Sequence, residues 1–501
     1  MGGEALVGGD PVASVRGRGV APDRIAYRWA RGVRSADHEG EAWVFGAGAV
    51  RRVPASLRPV CELLADWRTE PELSADAGFD QLVNVLAALR RMARAGLLDQ
   101  ELRDADGRPL LRVQQVGGTL VRDLRAVQEP VGISRFAVMR VEEGALVVEH
   151  PGEHVVLTCL DERVRALLMR LVGPAEPVAA GDTGLDAADV GVIVAALVEA
   201  GVGLPPAAPG GLSVAEDPRL RPWAWHDVAA HFRSRRGRHR YPAHATYHLA
   251  GQQPPEPALK PPMGTRVIDL PVHDIEALRG TDMPLTEAVE QRFAGRDHDE
   301  RPLDLDQLSE LLFRSARVRW HAAASDEAPY EQTSRPYPSG GATYDLELYL
   351  AVDRCEGLEP GLYHYDPDRH ALEQLDRLTP AVERMLVDAT GATGGQVRPQ
   401  VLLTVASRFA RISWKYEGMA YATTLRNVGA LYQTLWLVAT AMGIACCPLG
   451  GGDTSAFAEA TGLDPYLESN VGEVALGRLA SDAQRGNRSA DARQGAWIER
   501  A

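Results

Sequence analysis

The sequence predicts an α+β chain with a repeated strand–helix half in front of a larger C-terminal block. Three observations carry that reading. Apolar residues recur at helical spacing in several long runs, among them "DQLVNVLAALRRMARAGLL" and "TLRNVGALYQTLWLVATAM". Between them lie short β-rich runs such as "GALVVEH", "LELYLAV" and "QVLLTVAS". Two Pro/Gly-rich stretches, "GLPPAAPGG" (203–211) and "GQQPPEPALKPPMG" (251–264), read as linkers.

At 501 residues the chain exceeds what one core usually holds, so two or three domains are expected. The hydrophobic fraction of 45% and charged fraction of 24% are those of a globular protein. A net charge of −14 argues against general nucleic-acid binding. No apolar run reaches membrane-spanning length, and the first residues, "MGGEALVGGDPVASVRGRGV", have no apolar core of a signal peptide. A cytoplasmic protein without a membrane or nucleic-acid partner is the expectation. The five cysteines, Cys61, Cys159, Cys355, Cys446 and Cys447, form no C-x-x-C and have no histidines at metal-ligand spacing. Cys446 and Cys447 fall in a strand-like run, where neighbours point to opposite faces, so they read as buried apolar residues rather than a redox pair.

The N-terminal half repeats itself. One unit runs from strands near "EAWVFGAGAV" to the helix "DQLVNVLAALRRMARAGLL". A second runs from "RFAVMRVEEGALVVEH" and "EHVVLTC" through "DERVRALLMRLV" to "AADVGVIVAALVEAGVGL". Strands, helix, loop and helix in each resemble a pair of winged-helix-like modules, placed at 1–120 and 121–210, with a connecting segment at 211–264. Such modules bind DNA, or bind peptide by adding a strand to a sheet edge; the acidic balance favours protein or peptide. Within the connector, "FRSRRGRHRYP" gathers Arg233, Arg235, Arg236, Arg238 and Arg240. A nucleic-acid patch is one reading; in so acidic a chain a solvated basic loop, or one that docks an acidic peptide, is the stronger expectation.

The C-terminal block, 265–501, opens with the helices "PLTEAVEQRFAGR" and "DLDQLSELLFRSARV", the second carrying Leu305, Leu308, Leu311 and Leu312 as an apolar stripe. The loop "PYPSGG" then feeds "ATYDLELYLAV", and "GLYHYD" and "QVLLTVAS" follow as strands. A long helix places Leu425, Val428, Tyr432, Leu435, Ala439 and Met442 on one face, for a core or a dimer. It runs into "IACCPLGGGD", a strand entering a second glycine-rich loop. Glycines let backbone approach a flat ligand closely, yet neither loop is a G-x-G-x-x-G or a Walker A. Just before the long helix stands "SWKYEGMAY", whose Lys415 reads as a cation at a helix N-terminus, where the dipole disfavours positive charge.

These stretches occur in a specific order. "SRRGRHRYPAHATYHLAG", "LKPPM", "RPLDLDQLSELLF", "SRPYPSGGATYDLELYLAV", "GLEPGLYHYDP", "WKYEGMAYATTLRNVGALYQTLWLVATAMGIACCPLGGGD" and "VALGRLA" together cover roughly half the chain. In that order the region 220–480 resembles the SagB/ThcOx-type azoline dehydrogenases, FMN enzymes of the nitroreductase fold that oxidise thiazolines and oxazolines in ribosomally made peptides. The duplicated N-terminal half looks like the extension common in that group. The resemblance implies FMN, an azoline-bearing precursor peptide, a cyclodehydratase of the same pathway, and a homodimer.

Roles carried over by position are as follows. Arg292 stands first in a segment that grips the cofactor phosphate, here reading Arg292-Phe293-Ala294 with Arg296 after it. Pro338, Ser339 and Gly340 match the loop along the flavin ring, and Gly450 and Gly451 match the segment whose N–H faces its N5 region. Lys415 and Tyr416 match the Lys-Tyr pair of azoline oxidation. The long helix departs from many relatives, with Asn427 and Ala430 where a glutamate and a histidine are common.

On this reading Lys415 is a general base, with burial and a helix N-terminus bringing its pKa down to about 7–8. Tyr416 orients the substrate or keeps the lysine neutral. Two other readings stay open here: an NAD(P)H-dependent nitroreductase, and a flavin-less scaffold of a peptide-modifying complex.

Overall fold

The computed structural model describes residues 21–480, apart from 39–40, 47–48, 54–57, 78–81, 116–123, 125–126, 128–129, 173–181, 209–212, 327 and 396. Part of the expected linker 203–211 therefore lies outside the described residues. Two compact units are present, Met1–Ala243 and His244–Ala501. The boundary falls inside the segment expected to be a connector.

The first unit is built on one antiparallel sheet. In spatial order its strands are Arg68–Thr69, Ile25–Trp29, Leu98–Arg103, Pro109–Gln115, Val155–Cys159, Ala145–Glu149 and Val138–Glu142. The helices Leu82–Arg94, Glu162–Leu171 and Ala187–Glu199 occupy the runs their periodicity marks. The two expected modules are joined through Pro109–Gln115 and Val155–Cys159, with Val113 opposite Leu157. Their apolar residues form a single core that includes Tyr27, Leu98, Leu157 and Ile193.

The arginine cluster is a staple inside this unit rather than a solvated loop. Arg240 reaches Asp99 at 2.5 Å and donates to the Leu98 and Gln115 carbonyls at 2.6 and 2.8 Å. Arg233 pairs with the buried Glu149, which also takes Arg140 at 2.7 Å, and Arg238 donates to the Gly152 carbonyl. Only Arg235 and Arg236 of the cluster are exposed. Buried carboxylates on the sheet explain the local density of cations, since an ionised Asp or Glu inside a core needs a partner.

The second unit is a three-layer sandwich. Its strands are β1 (Arg266–Asp269), β2 (Leu346–Val352), β3 (Gly361–Asp366), β4 (Ala371–Arg377), β5 (Val401–Arg408), β6 (Ile444–Leu449) and β7 (Glu468–Arg478), in the order β1-β4-β3-β2-β5-β7-β6. Every neighbouring pair is antiparallel. The helices are α1 (Leu285–Gln291), α2 (Leu305–Ala316), α3 (Pro380–Ala392), α4 (Phe409–Ser413), α5 (Ala420–Met442) and α6 (Thr454–Thr461). Leu348, Leu350, Leu403 and Val474 face α2 and α5, whereas Tyr349, Ala351, Leu402 and Ala475 face α3 and α6. Both faces being covered, β2 and β5 are buried along their whole length instead of on alternate residues.

Cys446 and Cys447 go to opposite faces of β6, and burial raises the pKa of both thiols. Helix α2 starts on a capping box between Asp304 and Gln307, and α5 stops at Gly443, whose φ of +67° is the left-handed cap. Leu425, expected on the apolar face of α5, is 47% exposed, while Val428, Leu435 and Ala439 are buried as expected.

The Pro-rich stretch 251–264 is packed against this sheet. Lys260 pairs with Glu468 and donates to the Tyr349 hydroxyl at 2.8 Å, and Ala258 is fully buried. Among the described residues no helix is long and apolar enough to cross a membrane, and no cluster of metal-ligating side chains occurs.

The arginine staple makes a measurable claim. Arg240→Ala strands Asp99 as a buried unpaired carboxylate, which costs about 3–5 kcal/mol. Denaturant unfolding should show that loss, and Asp99→Leu added to Arg240→Met should recover most of it. Equal stability of Arg240→Ala and wild type would remove the staple from the account.

Candidate active site

The site is assembled where the loop between Arg335 and Asp345 closes on the start of α5. That loop is conformationally costly. Gly341, Ala342 and Tyr344 have φ of +63°, +54° and +43°, and the two non-glycine residues each pay about 1–2 kcal/mol for it. Its hold is a buried carboxylate. Asp345, fully buried, accepts from Ser407 Oγ and Thr424 Oγ1 at 2.8 Å each and from Asn427 Nδ2 at 2.7 Å. The other end of the Asn427 amide accepts the Gly340 N–H at 2.9 Å. Ser339 Oγ accepts the Tyr344 N–H at 3.0 Å, and Arg411 Nε donates to the Thr343 carbonyl at 2.8 Å. Asn427 thus ties the loop to α5.

Lys415 and Tyr416 meet this loop at Gly341. Lys415 does not sit at a helix N-terminus. It follows the C-cap of α4, Trp414, and precedes α5, which begins at Ala420. Its Nζ donates to Tyr330 Oη at 2.5 Å and to the Gly341 carbonyl at 3.1 Å, and Tyr330 Oη donates to the same carbonyl at 3.1 Å. A methyl group on Gly341 would run into the Tyr416 hydroxyl and lie 2.7 Å from Lys415 Nζ, so only glycine admits this approach. One on Gly340 would strike the Thr423 side chain.

The electrostatics correct a second expectation. Burial, the largest influence, works against the Lys415 ammonium. The hydrogen bond to Tyr330 and the phenols of Tyr330, Tyr416 and Tyr247 outweigh it, so the pKa stands above the ordinary 10.5. The lysine is therefore a cation at neutral pH as the site stands. Arg411, 3% exposed and bonded to the carbonyls of Glu256, Glu331 and Thr343, is pushed down to about 10 by burial and by Arg408.

Pro338, Ser339 and Gly340 belong to this same loop, and the remaining expected site residues lie elsewhere on the unit. Pro338 is exposed, beside the half-buried Ser339 and Gly340. Arg292 caps α1 and stacks over the Trp436 ring at 4.3 Å, and Arg296 is exposed beside Cys447. Trp436 is nine residues beyond Asn427, about 14 Å along the helix at 1.5 Å per residue. Arg292 thus sits about that far along α5 from the Asn427 end that holds the Gly340 turn. Gly450 and Gly451 are exposed, and a methyl group on either would meet open space. Gly452 is the tight position of that loop: its φ is +150° and a methyl group would lie 2.6 Å from Asn470 Nδ2. Below it, burial and the nearby Asp388 and Asp453 push the Glu473 carboxyl up to about 8.

Tyr330, Asp345 and Arg411 were not singled out from the sequence. No periodicity marks them, because each acts through a loop contact to a distant element. One compositional signal bears on Lys415: the chain has 52 arginines but only two lysines, Lys260 and Lys415.

Residues 289–478 match the nitroreductase family, and residues 131–240 match the cyanobactin oxidase ThcOx family. A putative nitroreductase of Methanocaldococcus jannaschii, MJ1384, is 29% identical over 186 residues, 37% of this chain and 84% of its own. The microcin B17-processing protein McbC of Escherichia coli is 32% identical over 150 residues, 28% of this chain and 54% of its own. The trifolitoxin-processing protein TfxB of Rhizobium leguminosarum is 23% identical over 188 residues, 36% of this chain and 50% of its own. The chain spans about half the length of these two peptide-processing relatives.

Two substitutions test the site's construction. Gly341→Ala should separate Lys415 from Tyr416 and destabilise the fold by about 1–2 kcal/mol, the cost of a non-glycine residue at positive φ. Asn427→Asp sets two carboxylates on one buried network. Repulsion raises the folded pKa of that pair above the unfolded value of about 3.9. Stability is then kept at acid pH and lost as pH rises through the raised folded value. The melting-temperature gap to wild type should widen from pH 5 to pH 8; a gap independent of pH would place Asn427 outside the Asp345 network.

Residues 289–478 are thus similar to the nitroreductase family and residues 131–240 to the ThcOx family, and McbC and TfxB are similar to this chain over about half of their own length.

Proposed function

We propose that this chain is an FMN-dependent dehydrogenase that oxidises peptide-borne thiazolines or oxazolines to thiazoles or oxazoles. The observation that carries the reading is the closure of Lys415 and Tyr416 on the Gly340–Gly341 turn, inside a domain whose family generally binds FMN. The similarity to McbC and TfxB supports a peptide substrate of this class.

The residues fit a flat, anionic cofactor in kind. Gly340 and Gly341 allow close backbone approach, Gly450 and Gly451 leave open space, and Arg292 and Arg296 offer cations for a phosphate. FMN, when bound, supplies the acceptor for the hydride. What remains for the protein is the proton on the neighbouring ring carbon, which lies between a C=N and an amide carbonyl and is acidic for that reason. Lys415 would take it, and Tyr416, whose hydroxyl comes up to the same position on Gly341, would hold the ring. Because Lys415 begins as an ammonium, it must first release its own proton.

A second copy of the chain, a precursor peptide and a cyclodehydratase complete the proposal. Tyr421 and Leu425 on α5 and Leu285 and Val289 on α1 leave apolar side chains exposed, as a dimer face would. The position of Arg292 along α5, away from the end that holds the Gly340 turn, accords with a cofactor shared between two copies.

The purified protein should be yellow and remove about 2 Da per ring from an azoline-bearing peptide, two hydrogens passing to the cofactor. Lys415→Ala should abolish that loss and keep the colour. Turnover of a nitroarene with NADPH, without any azoline oxidation, would favour a nitroreductase instead. A colourless protein that takes up no added FMN would favour the scaffold. The pH profile carries the sign of the Lys415 shift: as only the neutral amine is a base, kcat/KM should rise about tenfold per pH unit above neutrality. A plateau already reached at pH 7 would assign the proton to another group.

A further inference from the structure

We propose that Tyr330 is the positioning residue of this site, fixing the direction in which Lys415 can accept a proton; the inference rests on the reading of Lys415 as the base. Tyr330 is 5% exposed and is walled in by Trp414, at 6.2 Å between rings, by Tyr247 at 6.5 Å, and by the Arg411 guanidinium 5.6 Å over its ring. Its hydroxyl is the one polar atom of a large rigid side chain, and it is spent entirely on Lys415 and Gly341.

The bonding leaves one free direction at Lys415 Nζ. An ammonium has three N–H bonds. Here one runs to Tyr330 Oη and one to the Gly341 carbonyl. Tyr330 has a single hydrogen, and it is already donated to that same carbonyl, whose two lone pairs serve both donors. Tyr330 therefore accepts from Lys415 without donating to it. When the ammonium gives up a proton, the third direction becomes the lone pair, while the other two N–H bonds stay in place. No proton of the tyrosine competes for that lone pair.

Composition points independently to Lys415 as a position that takes lysine rather than arginine. Elsewhere in the chain the cations are 52 arginines and a single lysine. That lysine, Lys260, is locked in a buried pair with Glu468. A guanidinium ordinarily holds its proton more tightly than an amine, so a base written as lysine in an arginine-rich chain suits that role. Tyr330 is the group that makes this amine directional. A core aromatic with no such role would lose nothing by giving up its hydroxyl except a hydrogen bond.

Tyr330→Phe in the full chain separates the two cases. Trace labelling of amines with acetic anhydride across pH, read on the Lys415 peptide by mass spectrometry, follows the proton on that lysine without any substrate. The two-lysine composition makes the readout specific. With the acceptor removed, the Lys415 labelling midpoint should fall by about one pH unit, a tenfold loss of proton affinity. In azoline turnover, kcat should fall ten- to hundredfold, the usual cost of misplacing a reacting group by about 1 Å, with KM unchanged and the pH limb displaced downward. An unmoved midpoint and an unmoved pH limb would overturn the proposal, even if the variant melts earlier. Should Tyr330→Phe fail to fold, the wild type decides: the ¹³Cε titration of Lys415 must lie above the ordinary lysine value, and a midpoint below it refutes the bond. If wild-type protein oxidises no azoline while the labelling midpoint shifts as expected, the Tyr330–Lys415 pairing stands and the assigned reaction falls.

Discussion

The site depends on one buried carboxylate. Asp345 lies at the foot of β2 with no solvent contact and three donors, from β5 and from two turns of α5. Burying an ionised group is expensive unless its hydrogen bonds are complete, so these donors are constrained to their positions as much as Asp345 is. That constraint reaches the chemistry in two steps. Asn427 passes it to the Gly340 N–H, and the turn at Gly340–Gly341 presents its carbonyl to Lys415 and Tyr330. Strain at Ala342 and Tyr344 is tolerated because the same network over-determines the loop.

A second constraint comes from the opposite side. Arg411, buried and bonded only to carbonyls, ties the loop at Thr343 to Glu331 and to the Pro-rich segment at Glu256. That segment is itself fastened by Lys260, Glu468 and Tyr349 on the far face of the sheet. A stretch dense in proline looks like a linker because it has no periodicity. It is ordered here by polar anchors, which leave no periodic trace in a sequence.

The strands and helices of both units were legible, since each carries its own pattern of apolar spacing, and α5, α2, β2 and β5 stand where the pattern puts them. The glycine-rich loops and the Lys-Tyr pair were legible as unusual residues in a specific order. Less legible was anything set by partnership across sequence. The two N-terminal modules look separable until Pro109–Gln115 pairs with Val155–Cys159. The arginine cluster looks solvated until Asp99 and Glu149 are found beneath it. Lys415 looked like a lysine made neutral by a helix terminus. Its position after α4 and its contact with Tyr330 give the opposite sign, a sign decided by a residue 85 positions away.

The central claim is that Lys415, aimed from the Gly341 turn, drives azoline oxidation through a bound flavin. Anaerobic mixing of the FMN-loaded protein with an azoline peptide tests it most directly. The account predicts that flavin absorbance bleaches without any nicotinamide, in proportion to the rings aromatised, and that Lys415→Ala leaves the flavin oxidised. Flavin that stays oxidised with the azoline peptide but bleaches with NADPH would contradict it.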